Sequence, residues 1–259
     1  MKLSVNHSRA MIALVHAGEV QVDAVEVVDK LSLAEIETAR EALPGINFHF
    51  HQGRMHFTRK GVARLAKYLA LCPQSPFISI HLAPLSFFIT APALQWQLYL
   101  PEPDEEKCIQ RFIRQVKELK IQFKTPVILE NMPALHPQKY RFESEPEVIR
   151  RVLEETGCQL LLDLAHARIA AEVRGMSGEE YLSALPLEHT VQFHLAGARS
   201  KDGRLYDAHE SLEEVDYTLL GWVLKRKSPQ WLTLEYFREN PDQVRQQLTR
   251  LRGYLPATV

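Results

Sequence analysis

At 259 residues, 46% hydrophobic and 24% charged, the chain can bury a full core, and one α/β barrel of about 250 residues suits the length better than two small domains. A net charge of -1 makes nucleic acid an unexpected partner and points to no anionic membrane surface. Cys72, Cys108 and Cys158 are widely spaced and form no CxxC pair, no run approaches the ~18 to 20 apolar residues of a membrane span, and the N-terminus turns polar too early for a signal-peptide core, so a soluble cytoplasmic protein is expected.

In chain order, a short strand over 3–6 precedes a helix that Ser8 caps and that runs to Gly18. A valine-rich strand over 22–28 carries Asp23 and Glu26. Ser32 and Glu35 make a capping box for a helix reaching about Leu43, closed by Pro44-Gly45. The third strand covers 46–50, and a helix with apolar spacing follows over 59–71. The fourth strand, 77–80, ends in His81. The aromatic, proline-rich stretch 84–103 is expected to be a long functional loop. A helix capped by Asp104 leads to the fifth strand, 126–129, which ends in Glu130. A helix over 145–156 stops at Gly157. The sixth strand, 160–162, ends in Asp163, with His166 three residues on. A helix over 178–185 precedes the seventh strand, 190–193, which ends in His194 and leads into a polar loop over 197–210. A helix over 212–226, the eighth strand 231–234 ending in Glu235, and a helix over 241–251 capped by Asn240 complete the chain.

Eight strands alternating with helices, without a glycine-rich first turn or a Gly/Ser linker, predict a single α/β domain over 1–259, a (β/α)8 TIM barrel rather than an open doubly wound sheet. Strand side chains alternate between faces. One face of most strands is apolar and suits the helix layer, while the other turns polar toward its C-terminal end, the mouth of a barrel. His49 or His51, His81, Glu130, Asp163, His166, His194 and Glu235 are thus expected at one mouth, joined by Asp207 and His209 from the loop after the seventh strand. Carboxylates so close need compensating positive charge, and no Lys or Arg stands at the strand ends. Divalent metals supply that charge and use neutral imidazoles; a thiolate-free N/O set suits Fe²⁺, Zn²⁺ or Mn²⁺, and nine donors predict two or three ions. Glu26 reads either as an inward residue beneath this set or as a lysine partner. His7 and His56 receive no role.

The combination of Glu130-Asn131, Asp163-x-x-His166, His194-Leu195-Ala196-Gly197, Asp207-x-His209 and Glu235 resembles the xylose-isomerase-like TIM-barrel superfamily. The stretch 181–187 followed by His-Leu-Ala-Gly and Asp207-Ala208-His209-Glu210 is similar to the multinuclear non-haem iron-dependent oxidases. That resemblance implies metal ligation by His49 or His51, His81, Glu130, Asp163, His166, His194, Asp207, His209 and Glu235, with Glu130 and Glu235 bridging. It also implies O₂-dependent modification of a cysteine-containing peptide, often with a partner protein. Asp163-x-x-His166 stands where that family has Asp-x-Asn-Asn, and looks like the zinc phosphodiesterase endonuclease IV. A metal-dependent hydrolase and, third, a sugar isomerase or epimerase acting on a small molecule are the alternatives.

Overall fold

The computed structural model describes residues 1–52, 57–96, 98, 100, 101, 103–134, 136 and 138–256; His56 lies outside them. Eight parallel strands close a barrel: β1 (Lys2–Asn6), β2 (Ala24–Val28), β3 (Asn47–Gln52), β4 (Ile78–His81), β5 (Val127–Glu130), β6 (Gln159–Asp163), β7 (Thr190–Leu195) and, after a hairpin, β10 (Trp231–Leu234). Lys2 to Val5 pair with Trp231 to Leu234, so the first and last strands seal the seam. The TIM-barrel expectation holds, with strand boundaries within about two residues of the sequence reading.

The alternation in the strands decides which residues face the helices. Val25, Val27, Phe48, Phe50, Leu160 and Leu162 point outward into one large core shared with the helices, while Glu26, His49 and His51 point inward. The helices are α1 (Arg9–His16), α2 (Leu33–Ala42), α3 (Arg59–Leu71), α4 (Phe87–Trp96), α5 (Glu105–Gln122), α6 (Pro146–Thr156), α7 (Leu164–Arg174), α8 (Gly178–Ala184), α9 (Glu214–Leu224) and α10 (Pro241–Arg252). Ser8, Asp104 and Asn240 cap theirs as expected, and Ser32 with Glu35 forms the capping box. No helix among the described residues is long and apolar enough to cross a membrane.

Three stretches differ from the sequence reading. The expected loop 84–103 contains α4, with Pro92 inside it; Gln97, Tyr99 and Glu102 of that stretch lie outside the described residues. Its sequence is apolar almost throughout, so it shows no period of polar and apolar residues. The segment after Asp163 is helical at once, because Asp163 itself caps α7 through an Oδ1 that accepts the His166 N–H at 2.7 Å. The expected polar loop 197–210 is an antiparallel hairpin of β8 (Gly197–Lys201) and β9 (Arg204–Glu210).

The barrel interior is ordered from bottom to top. Ala24, Phe77, Ile128, Leu161, Val191 and Trp231 form a small apolar plug separate from the outer core. Above it lie Glu26, His49, Gln192 and Thr233, all fully buried. Above those, at the C-terminal ends of the strands, lies the mouth.

Candidate metal centre

The strand registers bring most of the expected donors together. His51 stands opposite Ser79, His81 opposite Glu130, and Asp163 opposite His194. Nε2 of His51 lies 3.0 Å from Nε2 of His81, and Oε2 of Glu130 lies 3.2 Å from the first and 3.4 Å from the second. Donors about 2.1 Å from a common ion at tetrahedral or octahedral angles stand about 3.0 to 3.5 Å apart, which is the spacing of this triangle. The other Glu130 oxygen, Oε1, faces His194 Nδ1 at 3.6 Å, and that nitrogen lies 3.3 Å from Glu235 Oε2. Glu130, Asp163, His194 and Glu235 form a second, fully buried group of converging donors. Glu130 thus belongs to both groups, one oxygen in each.

A third arm comes from outside the barrel strands. His166, held by its position in the first turn of α7, points Nε2 at Asp207 Oδ2, 3.4 Å away. That oxygen is 3.2 Å from Nδ1 of His209, whose Nε2 lies 3.6 Å from Glu235 Oε2. A register shift between Gly197 and Ala198 sets Asp207 and His209 in place: Gly197 pairs with Glu210 and Ala198 with Asp207, so Ala208 and His209 bulge from β9. His209 adopts φ 47° there and stacks on Phe237 at 4.2 Å.

His49 does not reach this mouth. It is one layer lower, its Nε2 bonded to Glu26 Oε2 at 2.8 Å, and it packs on Phe77 and Trp231. Of the two candidates on β3, His51 lines the cavity. Glu26 is the inward residue of the two readings, with no lysine partner among the described residues.

The hydrogen bonds behind the imidazoles decide which nitrogen each offers. Ser79 gives its hydroxyl hydrogen to Phe50 O at 2.9 Å and accepts from His51 Nδ1 at 3.0 Å, leaving His51 Nε2 as a lone pair aimed at Glu130 and His81. Asn131 O accepts from His166 Nδ1 at 2.8 Å, which leaves Nε2 facing Asp207. Asn131 also clamps β5 to β6, accepting the Asp163 N–H at 2.8 Å and donating to Asp163 O at 3.1 Å. Ser79 shares the inward face of β4 with His81 in the sequence pattern, which by itself gives it no role.

The electrostatics show what the cluster needs. Burial pushes Asp163 up to about 8 against the pull of His166, and Glu130, Asp207 and Glu235 add to the rise. Burial opposes a charge on His166 and His194, yet the surrounding carboxylates, Asp163 foremost for His166 and Glu235 for His194, hold both well above their usual value. Burial would also raise Glu130, but His51 and His81 hold it well below. Protons are thus retained here to balance charge. Buried Asp163 Oδ2, Glu130 Oε2 and His194 Nδ1 have no hydrogen-bond partner among the described residues. Orphaned buried acceptors on converging carboxylates and imidazoles fit divalent cations.

Above the donors opens a cavity of about 490 Å³, walled by Met132, Ile169, Leu205, Tyr206 and Phe237, with Asp29 and Lys30 on its lining.

The profile of the family described as RiPP precursor modification enzyme MbnB/TglH/ChrH matches residues 52–252. The chain belongs to this family. The match covers His81, Glu130, Asp163, His166, His194, Asp207, His209 and Glu235 but begins one residue after His51. Among curated relatives of this MbnB/TglH/ChrH member, a UPF0276 protein of Paraburkholderia phytofirmans is 34% identical over 116 residues, which are 43% of this chain and 38% of the relative. The chain spans about half the length of the curated relatives it matches. Among solved structures, a D-tagatose 3-epimerase-like protein aligns with TM-score 0.62 at 15% identity, covering 98% of this chain and 97% of the other. A putative xylose isomerase from Rhodospirillum rubrum aligns with TM-score 0.61 at 15% identity, covering 99% and 100%. These likenesses show the xylose-isomerase-like barrel.

Proposed function

We propose that the chain is a metal-dependent enzyme that oxidatively modifies a cysteine-containing peptide with O₂, holding at least two iron ions at the barrel mouth. The supporting observation is the position of Glu130, whose two oxygens reach two separate donor groups. His51, His81 and Glu130 would hold one ion; Glu130, Asp163, His194 and Glu235 would hold the second; and His166, Asp207 and His209 are the proposed donors of a third. Iron bound there supplies one-electron redox chemistry with O₂ and an anchor for a substrate thiolate.

The chain's own residues do the rest. Ser79 and Asn131 keep a lone pair of His51 and His166 directed at the centre. The apolar wall of Met132, Ile169, Leu205 and Phe237 gives a peptide a surface to lie on. The cavity takes a side chain but not a folded domain, so the substrate is proposed to enter as an extended segment, presented by a partner protein. The proposed location is the cytoplasm.

Anaerobic loading with Fe²⁺, followed by O₂ uptake in the presence of a cysteine peptide, tests this reading. Protein that retains only zinc and consumes no O₂ with any cysteine peptide overturns it. A second reading, metal-dependent phosphodiester hydrolysis, is favoured by His166, which extends the donors to a third group. Turnover of abasic-site DNA or a small phosphodiester by metal-loaded protein would establish it instead.

A further inference from the structure

Below the mouth the barrel encloses an acid that no substrate can touch. Glu26 on β2 is fully buried, and its Oε2 gathers three donors: His49 Nε2 at 2.8 Å, His194 Nε2 at 3.0 Å and Gln192 Nε2 at 3.1 Å. Gln192 Nε2 also donates to Thr233 Oγ1 at 2.8 Å, so both its hydrogens are used, and it lies 3.0 Å from His194 Nε2. The floor under this group is the apolar plug, with the His49 ring 5.0 Å from Phe77 and 5.8 Å from Trp231. A carboxyl taken out of water in this way would ordinarily be a liability.

The same imidazole that meets Glu26 from above also faces the donors at the mouth. His194 turns Nε2 down to Glu26 and Nδ1 up toward Glu130 Oε1 and Glu235 Oε2, and that Nδ1 is buried without a hydrogen-bond partner. A neutral imidazole, the form that binds metal, presents one nitrogen as a lone pair when it donates the other N–H to a carboxylate. Most histidine ligands are oriented by such an acceptor behind them, and removing it typically weakens metal binding by about 10–100-fold.

We infer that Glu26 is a positioning residue of the metal centre: by accepting the Nε2–H of His194 it makes this histidine a ligand through Nδ1, with His49 and Gln192 holding the carboxylate in place from below. This assigns the buried layer a task. Glu26 sets the tautomer and ring plane of His194, and its negative charge strengthens the donor at Nδ1. The role of His49 is then to orient the acid, which accounts for a histidine on β3 two residues short of the mouth. The inference rests on the metal-centre reading above.

The test uses full-length protein labelled with ¹⁵N and loaded with Zn²⁺ as a diamagnetic probe. Long-range ¹H–¹⁵N spectra of the imidazoles, with the His194 signals assigned by loss in a His194→Gln variant, are expected to show a metal-bound Nδ1 and a protonated, slowly exchanging Nε2. In Glu26→Gln the Zn²⁺ affinity of the His194 position is expected to fall by about 10–100-fold, while the position built on His51 and His81 keeps its ion. A His194 bound through Nε2, or an unchanged affinity in folded Glu26→Gln, overturns the inference. Should Glu26→Gln fail to fold, the wild-type spectrum alone decides, since a purely structural buried acid would not dictate which nitrogen binds metal. Wild-type protein that binds neither Zn²⁺ nor Fe²⁺ would instead sink the metal-centre reading itself.

Discussion

At the scale of single residues, the centre depends most on Glu130. Its carboxylate is the one side chain shared by both converging donor groups found among the described residues. Replacing it is expected to reach both ions, whereas replacing His81 reaches one. Elemental analysis should therefore find both metals depleted in Glu130→Gln, with an affinity loss exceeding the about 10–100-fold typical of a supporting residue, and a single ion lost in His81→Ala. Equal metal content in the two variants would refute the shared role. Asp163 carries a different consequence. Its carboxyl titrates at 3.8 in an ordinary setting and at about 8 in the metal-free fold. Between those values the folded chain holds a proton that the unfolded chain has released, so stability falls as pH rises through the window. His166 and His194 act in the same sense: raised in the fold, their contribution is complete below 6.5 and is lost as pH rises through their folded values. Metal-free protein is accordingly expected to melt at lower temperature at about pH 8 than at about pH 6, and Asp163→Asn to narrow that difference. A metal-free melting temperature that climbs over the same interval would contradict the assignment.

At the scale of elements, the hairpin after β7 is what carries donors from outside the barrel. Gly197 makes the hairpin possible: a Cβ there would stand 2.6 Å from Glu210 O and also collide with Ser211 O, both backbone atoms unable to swing away. The glycine of the His-Leu-Ala-Gly motif is thus demanded by the close pass of β9, whose bulge sends Asp207 and His209 to His166. Gly197→Ala is expected to destabilise the fold by about 1–3 kcal/mol and to loosen the His166–Asp207–His209 group before the others, seen as a lowered thermal midpoint with the ions at the other two groups retained. A variant as stable as the parent with full metal content would show that the bulge tolerates the methyl. This hairpin also marks where sequence reasoning stopped. The barrel strands were legible because one face buries against helices and the other turns polar, a period of two. The β8–β9 hairpin is half exposed, and its alternation is cut short by the bulge at Ala208 and His209, so its sequence reads as a loop. Helix α7 went unseen for the opposite reason: Leu164, Ala165, Ala167, Ile169, Ala170 and Ala171 are buried on most sides, leaving no amphipathic stripe. His49 and His51 share the inward face of β3, and only the depth of each in the barrel, a property of strand stagger, tells them apart.

At the scale of the molecule, the barrel is layered along its axis: an apolar plug, a polar layer around Glu26, and a mouth dense in carboxylates and imidazoles. Each layer constrains the next. The plug floors the layer, and the side chains that meet Glu26 Oε2 include His194, which the mouth also uses. Burying so many ionisable groups costs stability unless cations enter, because the acids repel one another and retain protons to avoid it. Ions that bind only the folded chain add RT ln(1 + [L]/Kd), about 2.7 kcal/mol per site at a hundredfold excess over Kd. For a chain of this size that corresponds to a rise in melting temperature of about 5–10 °C for one occupied site, and more for two. Calorimetry of metal-stripped protein titrated anaerobically with Fe²⁺, and separately with Zn²⁺, measures this directly. A stepwise rise that Glu130→Gln abolishes and His81→Ala only halves would tie the stabilisation to the two-group architecture. A melting temperature indifferent to both ions would mean that the donors satisfy one another, and that the mouth of this barrel is a hydrogen-bonded network without a metal.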